Sequence, residues 1–126
     1  MSPSVPLVAV VEDDVACLRA LGRVLRAGGC DVMLCGSAEE ALTTPLPRRP
    51  ACFVVDMQLG AMSGLDLQAR LNARGSTVPV IVLTALDDER VRAESRRLGC
   101  VAFLDKGSDI DVLLTIVHGL EPAAAT

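Results

Sequence analysis

The chain has no tryptophan and no tyrosine, and its only phenylalanines are Phe53 and Phe103. A surface built to stack on bases or on a flavin ring would have few tools here. There is one histidine, His118, which leaves no material for a multi-histidine metal site and argues against a histidine-based catalytic dyad. No apolar run approaches the roughly 20 residues that span a bilayer. No CxxC pair occurs, and the five cysteines (Cys17, Cys30, Cys35, Cys52, Cys100) are odd in number. They read as small buried hydrophobes in a reducing compartment, without a disulfide or zinc framework. The net charge of -4 argues against a surface devoted to nucleic acid. The start of the chain turns acidic at Glu12-Asp13-Asp14, too soon for a secretory signal. A cytoplasmic location is expected, with no membrane association. Lysine is almost absent as well: Lys106 stands alone against eleven arginines.

What is present is a regular alternation. Five apolar runs, Leu7–Val11, Asp31–Cys35, Cys52–Asp56, Val78–Thr84 and Cys100–Asp105, read as strands, most of them buried on both faces. Helical spacing of Val15, Leu18, Leu21, Val24 and Leu25 predicts a helix over 15–27; further helices are expected from Ser37, over about 65–74, over the polar, charged 87–98 and over 110–120. Gly28-Gly29 and Gly99 act as stops, and Ser37 with Glu40 is expected to form a capping box. Strands alternating with helices predict an α/β domain with a five-stranded parallel sheet, five helices on both faces and right-handed crossovers. One domain is expected over 1–126, with its core over about 7–120 and 121–126 a tail or the start of a linker.

Four strands end on residues that can do chemistry: Glu12-Asp13-Asp14, Asp56, Thr84 and Asp105-Lys106. In an open parallel sheet the ligand site lies at the carboxyl ends of the strands, where the order reverses. With strand order 2-1-3-4-5, Asp13 and Asp56 face each other there, Glu12 adds a second acid, and Thr84 and Lys106 approach from the far side. Clustered carboxylates stay ionised only with positive charge among them. An open, oxygen-rich site suits Mg²⁺ or Mn²⁺. A carboxylate beside a metal, a lysine and a hydroxyl fits phosphoryl transfer through an aspartyl-phosphate. Each piece alone has a plainer meaning: an acidic helix N-terminus, a solvated loop acid, a strand-end hydroxyl, a surface lysine. Their coincidence on four strand ends of one sheet is what carries the functional reading.

In VVEDD (10–14), VVDMQLGAMSGLDL (54–67), VIVLTA (80–85) and GCVAFLDKG (99–107) the sequence resembles the receiver domains of bacterial response regulators. The resemblance supplies the strand order 2-1-3-4-5. It implies that Asp56 is the phospho-acceptor and that Asp13, Glu12, Asp56 and the backbone carbonyl of Gln58 hold the metal. Thr84 and Lys106 would bind the phosphoryl group, and Phe103 would be the aromatic that turns as Thr84 moves. Small Ala85 would leave the acceptor open. The implied partners are a sensor histidine kinase or phosphotransfer protein and, through the α4-β5-α5 face, a second copy. Direct nucleic-acid binding by this domain is not expected, nor is classical enzyme activity.

The sequence departs from that family twice, with Gly107 after the lysine and Gly60 four residues past the acceptor where proline is usual. A trans bond is expected before Gly107, since cis costs about 2.5–4 kcal/mol ahead of a non-proline residue. Both glycines predict looser loops. Two rivals are set beside the main reading. One is a degenerate receiver that binds partners without phosphate. The other is a flavodoxin-like FMN binder, which the acids after the first strand disfavour. Either a stand-alone receiver or the N-terminal part of a longer regulator fits the length.

Overall fold

The computed structural model describes residues 5–86, 88–107 and 110–120. The expected tail, 121–126, and Asp87 at the expected start of the fourth helix lie outside the described residues. The elements follow as β1 (Leu7–Val11), α1 (Val15–Ala27), β2 (Asp31–Cys35), α2 (Ala38–Thr43), β3 (Cys52–Val55), α3 (Gly64–Ala73), β4 (Val80–Thr84), α4 (Glu89–Arg97), β5 (Ala102–Asp105) and α5 (Ile110–Gly119). The sheet is parallel throughout in the order β2-β1-β3-β4-β5, as expected.

Strict alternation along the strands builds two cores. Ala9, Val11, Phe53, Val55, Val80 and Val82 face α2 and α3, where Ala38, Ala41, Leu67 and Leu71 complete one apolar layer. Val8, Val10, Cys52, Val54, Ile81 and Leu83 face the other way, onto Leu21 and Leu25 of α1 and Leu113 and Val117 of α5. Both faces of β1, β3 and β4 are therefore covered, which is why those strands read as continuous apolar runs. Register puts Val11 beside Val55 and Thr84 beside Asp105. The polar residues that follow these strands thus emerge along one rim.

Two sequence expectations are corrected by hydrogen bonding. Val78 and Cys100 fall outside the ladders: β4 begins after Pro79, which has no N–H to donate, and β5 begins at Ala102. At α2, Ser37 Oγ accepts from Glu40 N at 3.0 Å, but Glu40 Oε1 reaches back to Gly36 N at 2.6 Å, so the box does not close on Ser37 itself. The closed capping box sits at α3, where Ser63 Oγ accepts from Asp66 N and Asp66 Oδ2 accepts from Ser63 N, both at 3.1 Å.

The cysteines are free, but they are not uniformly buried: Cys30, Cys35 and Cys52 are, whereas Cys17 and Cys100 are half-exposed. Burial pushes the Cys35 thiol up to about 11 and the Cys52 thiol up to about 12. A raised pKa leaves the unreactive neutral thiol at mild alkaline pH. Iodoacetamide at pH 8 on the native protein should therefore modify half-exposed Cys100 first, Cys17, accessible but with a raised thiol pKa, more slowly, and spare the other three. Peptide mass mapping that finds Cys35 or Cys52 labelled as fast as Cys100 would show that the core opens readily.

Candidate functional site

Glu12 directly follows β1 and Asp56 directly follows β3. Their backbones are held by Glu12 N to Cys35 O at 3.0 Å and Asp56 N to Val11 O at 3.1 Å. Thr84 is the last residue of β4. Lys106 follows β5 and is tied by its N–H to Thr84 O at 3.0 Å. Four different strands thus deliver four polar side chains to one place.

Asp56 is the centre of the arrangement and is 6% exposed. Its Oδ1 accepts from Thr84 Oγ1 at 2.7 Å and from the Gln58 backbone N–H at 3.2 Å. Its Oδ2 accepts from Lys106 Nζ at 2.8 Å. The same ammonium is in ion-pair contact with Glu12 Oε1, and Glu12 is 2% exposed. Glu12 Oε2 accepts from Asp14 N at 3.1 Å, whereas Oε1 has no hydrogen-bond donor aligned on it beyond that ion pair. Thr84 Oγ1 also accepts from Leu86 N at 3.1 Å, which fixes its rotamer toward Asp56.

The two carboxylates respond in opposite directions to one lysine. Burial pushes Asp56 up, but hydrogen bonds from Lys106, Thr84 and Gln58, with the lysine charge, outweigh it and hold Asp56 below the usual carboxylate range. Glu12 is buried too, and there burial wins over Lys106 and Asp14 N, helped by the charge of Asp56, so its pKa is raised. Burial also opposes the ammonium, yet Asp56 and Glu12 together hold Lys106 above its ordinary value. The signs fix the pH dependence. Asp56 contributes stability above its unfolded-state pKa, lost as pH falls through the lower folded value. Lys106 contributes below its unfolded-state pKa, lost only as pH rises through the higher folded value. Glu12 weakens the fold near neutrality and is relieved by protonation.

Among the expected site residues, the structure brings together Glu12, Asp56, Thr84 and Lys106. Asp13 stays exposed at the rim, its Oδ2 3.7 Å from where a side chain at Gly60 would begin. Among the described residues no three acidic, histidine or cysteine side chains converge into a metal cage. Gln58 shows its N–H to the acceptor. The donor set nonetheless fits Mg²⁺, which needs only one or two carboxylates and keeps several waters. Glu12 Oε1, buried and with the Lys106 ammonium as its single partner, is an oxygen such an ion would share. Phe103 is half-buried against the α2–α3 side of the core, with the Arg92 guanidinium 4.9 Å from its ring centre.

Two residues were missed. A Cβ at Gly64 would lie 2.5 Å from the Asp56 carbonyl oxygen and 2.8 Å from Met57 Cα, so only glycine lets α3 start this close behind Asp56. A glycine just inside a capped helix was the available signal. Cys17 sits beside Lys106 and Glu12. Burial raises its thiol pKa, and the adjacent ammonium offsets this only in part. Nothing in the spacing marked it.

The Lys106–Gly107 bond is trans, as expected, and Gly107 N donates to Asp105 Oδ1 at 2.7 Å, so the turn is fastened by the preceding aspartate. Gly60 is a different matter. It takes φ +77°, a left-handed conformation proline cannot reach, so its loop follows a path closed to proline.

The chain belongs to the response regulator receiver domain family, whose model matches residues 8–118. It is 36% identical over 116 residues to nodulation protein W of Bradyrhizobium diazoefficiens, covering 91% of this chain and 51% of that protein. It is 35% identical to the transcriptional regulatory protein FixJ of Azorhizobium caulinodans, covering 94% of this chain and 56% of that protein. The chain thus spans about half the length of these relatives. A response regulator receiver protein from Pseudomonas putida superposes with a TM-score of 0.86 at 31% identity, covering 94% of this chain and 99% of that one. A Francisella response regulator receiver domain gives 0.84 at 26%, covering 94% and 98%. Receiver domains of this kind are phosphoproteins of two-component signalling, not classical enzymes, and are generally Mg²⁺-dependent. Response regulators receive phosphoryl groups from histidine kinases.

Two substitutions probe the site's construction. Lys106→Met strands two buried carboxylates and should cost on the order of 3 kcal/mol in urea unfolding at pH 7, the scale of breaking one side of a buried pair. A loss under about 0.5 kcal/mol, the range of an exposed pair, would mean the carboxylates are solvated. Gly60→Ala should cost about 1–2 kcal/mol for the left-handed backbone, and Gly60→Pro more. An unchanged urea midpoint for the proline variant would show that the loop can also follow a proline-compatible path.

Proposed function

We propose that the chain accepts a phosphoryl group on Asp56 from a phosphohistidine of a sensor kinase or phosphotransfer protein, in a Mg²⁺- or Mn²⁺-dependent reaction, and works in the cytoplasm as a signalling switch. The observation that carries this is the state of Asp56: a buried carboxylate held ionised at the rim of a parallel sheet by Lys106, Thr84 and the Gln58 N–H.

An Asp56 oxygen forms the new bond to phosphorus. The phosphorus–nitrogen bond to the donor breaks, and its electron pair leaves with the imidazole. Lys106 is released from its carboxylate contact to pair with a phosphoryl oxygen, and Thr84 Oγ1 can donate to another. A lysine suits this because its ammonium swings on a flexible stem. Glu12, Asp13, Asp56 and the Gln58 carbonyl would hold the metal, which supplies charge neutralisation at the phosphoryl oxygens. Exposed Ala85 keeps the approach open. The modification adds about -1.5 to -2 charge, as in other phospho-residues. The shift of Thr84 and the turning of Phe103 would then alter the α4-β5-α5 face, read by a second copy or another partner.

Incubation with acetyl phosphate and Mg²⁺, followed by intact mass measurement, should show one added phosphoryl group per chain. Asp56→Asn and an EDTA-treated sample should show none. An unmodified wild type would leave the phosphate-independent interaction module as the better reading. Equal addition in Asp56→Asn would move the acceptor elsewhere.

A further inference from the structure

α4 is attached unevenly. In Glu89–Arg97 (ERVRAESRR) the one apolar side chain larger than alanine is Val91, and the one fully buried residue is Ser95. Apolar burial does little to fix such a helix, and elements of this kind lie at the low-stability end of a fold. Polar ties to α3 take over toward its C-terminus. Ser95 Oγ donates to Gln68 Oε1 at 2.7 Å, and Gln68 Nε2 donates to Ser95 O at 3.2 Å. Both residues are sealed from solvent, at 0% and 2% exposure. The same Ser95 carbonyl accepts the Cys100 N–H at 3.1 Å, closing the helix beyond Gly99. One turn on, Asn72 Nδ2 donates to Leu98 O at 2.8 Å. A satisfied buried pair is costly to open, because each partner alone would be left unpaired.

The N-terminal half has the Asp88 cap, whose Oδ1 accepts from Arg90 N at 2.8 Å and Val91 N at 3.3 Å, and Val91 against the core, but its link to the sheet's polar rim is a contact of another kind. Arg92 lies over Phe103, a cation–π contact without the directionality of a hydrogen bond. Phe103 pairs in register with Val82, two residues before Thr84 on the same face of β4. The ring therefore lies beside the strand that carries the site's hydroxyl and touches the first turns of α4.

We propose that α4 turns about the buried Gln68–Ser95 pair, and that Arg92, stacked on Phe103, is the positioning residue that couples the ring to the tilt of the helix's first two turns. The inference rests on the switch reading only for what moves the ring. The pivot itself is a property of the unmodified protein.

Amide exchange and aromatic NMR on the full chain test it, with Phe53 as the internal reference for Phe103. In Arg92→Gln the Phe103 signals should shift while those of Phe53 stay. Amides at 89–93 should exchange about two- to fivefold faster, the range a cation–π contact supports, with 95–98 unchanged. Arg92→Lys, which keeps a cation, should restore much of the wild-type pattern. Gln68→Leu with Ser95→Ala, which removes both polar partners and spares the fold an unpaired one, should instead speed exchange at 95–98. No change at 89–93 in Arg92→Gln, or even acceleration along the whole helix, would overturn the pivot. With acetyl phosphate, a phosphorylated wild type should change exchange at 89–93, and phosphorylated Arg92→Gln should not. A wild type that takes no phosphate counts against the switch reading, while the comparison of 89–93 with 95–98 still decides the pivot.

Discussion

One ammonium between two buried carboxylates sets the terms for this structure. Glu12 and Asp56 leave adjacent strands of a parallel sheet, so the backbone brings their charges together whether or not that is favourable. Water cannot solvate them, at 2% and 6% exposure. Lys106 is the compensation, and it is shared unequally. Asp56 receives the lysine, a hydroxyl and a backbone N–H, and is driven toward the charged form. Glu12 receives less and is driven the other way. The pair is thereby differentiated: Asp56 is held in the charged form by three donors, and Glu12 has one oxygen whose single partner is the shared lysine.

That arrangement depends on the sheet being closed on both faces. Val8 and Val10 on one side and Ala9 and Val11 on the other leave β1 no freedom to slip, because a one-residue shift would exchange its two packed faces. The position of Glu12 is a consequence of that lock. Asp56 is similarly fixed from behind, where Gly64 lets α3 press against its own carbonyl.

Much of this was legible in the sequence. Continuous apolar runs bounded by glycine and polar turns gave the strands, because burial on both faces leaves a strong pattern; helical spacing gave α1, the Ser37 cap gave the start of α2, and a charged run closed by Gly99 gave α4. The strand order came from the family resemblance, since periodicity does not encode which strands are neighbours. Glu12, Asp56, Thr84 and Lys106 could be grouped from the sequence because each ends or follows a strand. What was not legible depends on side-chain reach. Glu40 could cap Ser37 or Gly36, and only the backbone path chooses. Asp13 and Glu12 are neighbours in sequence, yet one is exposed and the other buried, because consecutive residues after a strand leave on different sides. Gly60 was read as a loosened proline, but the sign of its φ is a property of the loop as a whole.

The two sides of the site differ in stiffness, and this decides where a change of charge can be felt. β1 and β3 are buried along their whole length, whereas β5 is half-exposed and α4 holds one fully buried side chain. A close-packed region transmits strain and does not absorb it. A rearrangement around Asp56 therefore meets resistance toward β1 and yields past the edge of the packed strands, toward β5 and α4. Thr84 already spans that boundary: its hydroxyl donates to Asp56, and its carbonyl holds the backbone of Lys106. The soft side is also where the chain spends its mixed charges, with Arg92 over the one aromatic ring beside the site. Polar ties suit such a region better than apolar packing would. They hold a helix in one place while leaving its far end able to move, which a contiguous core would forbid.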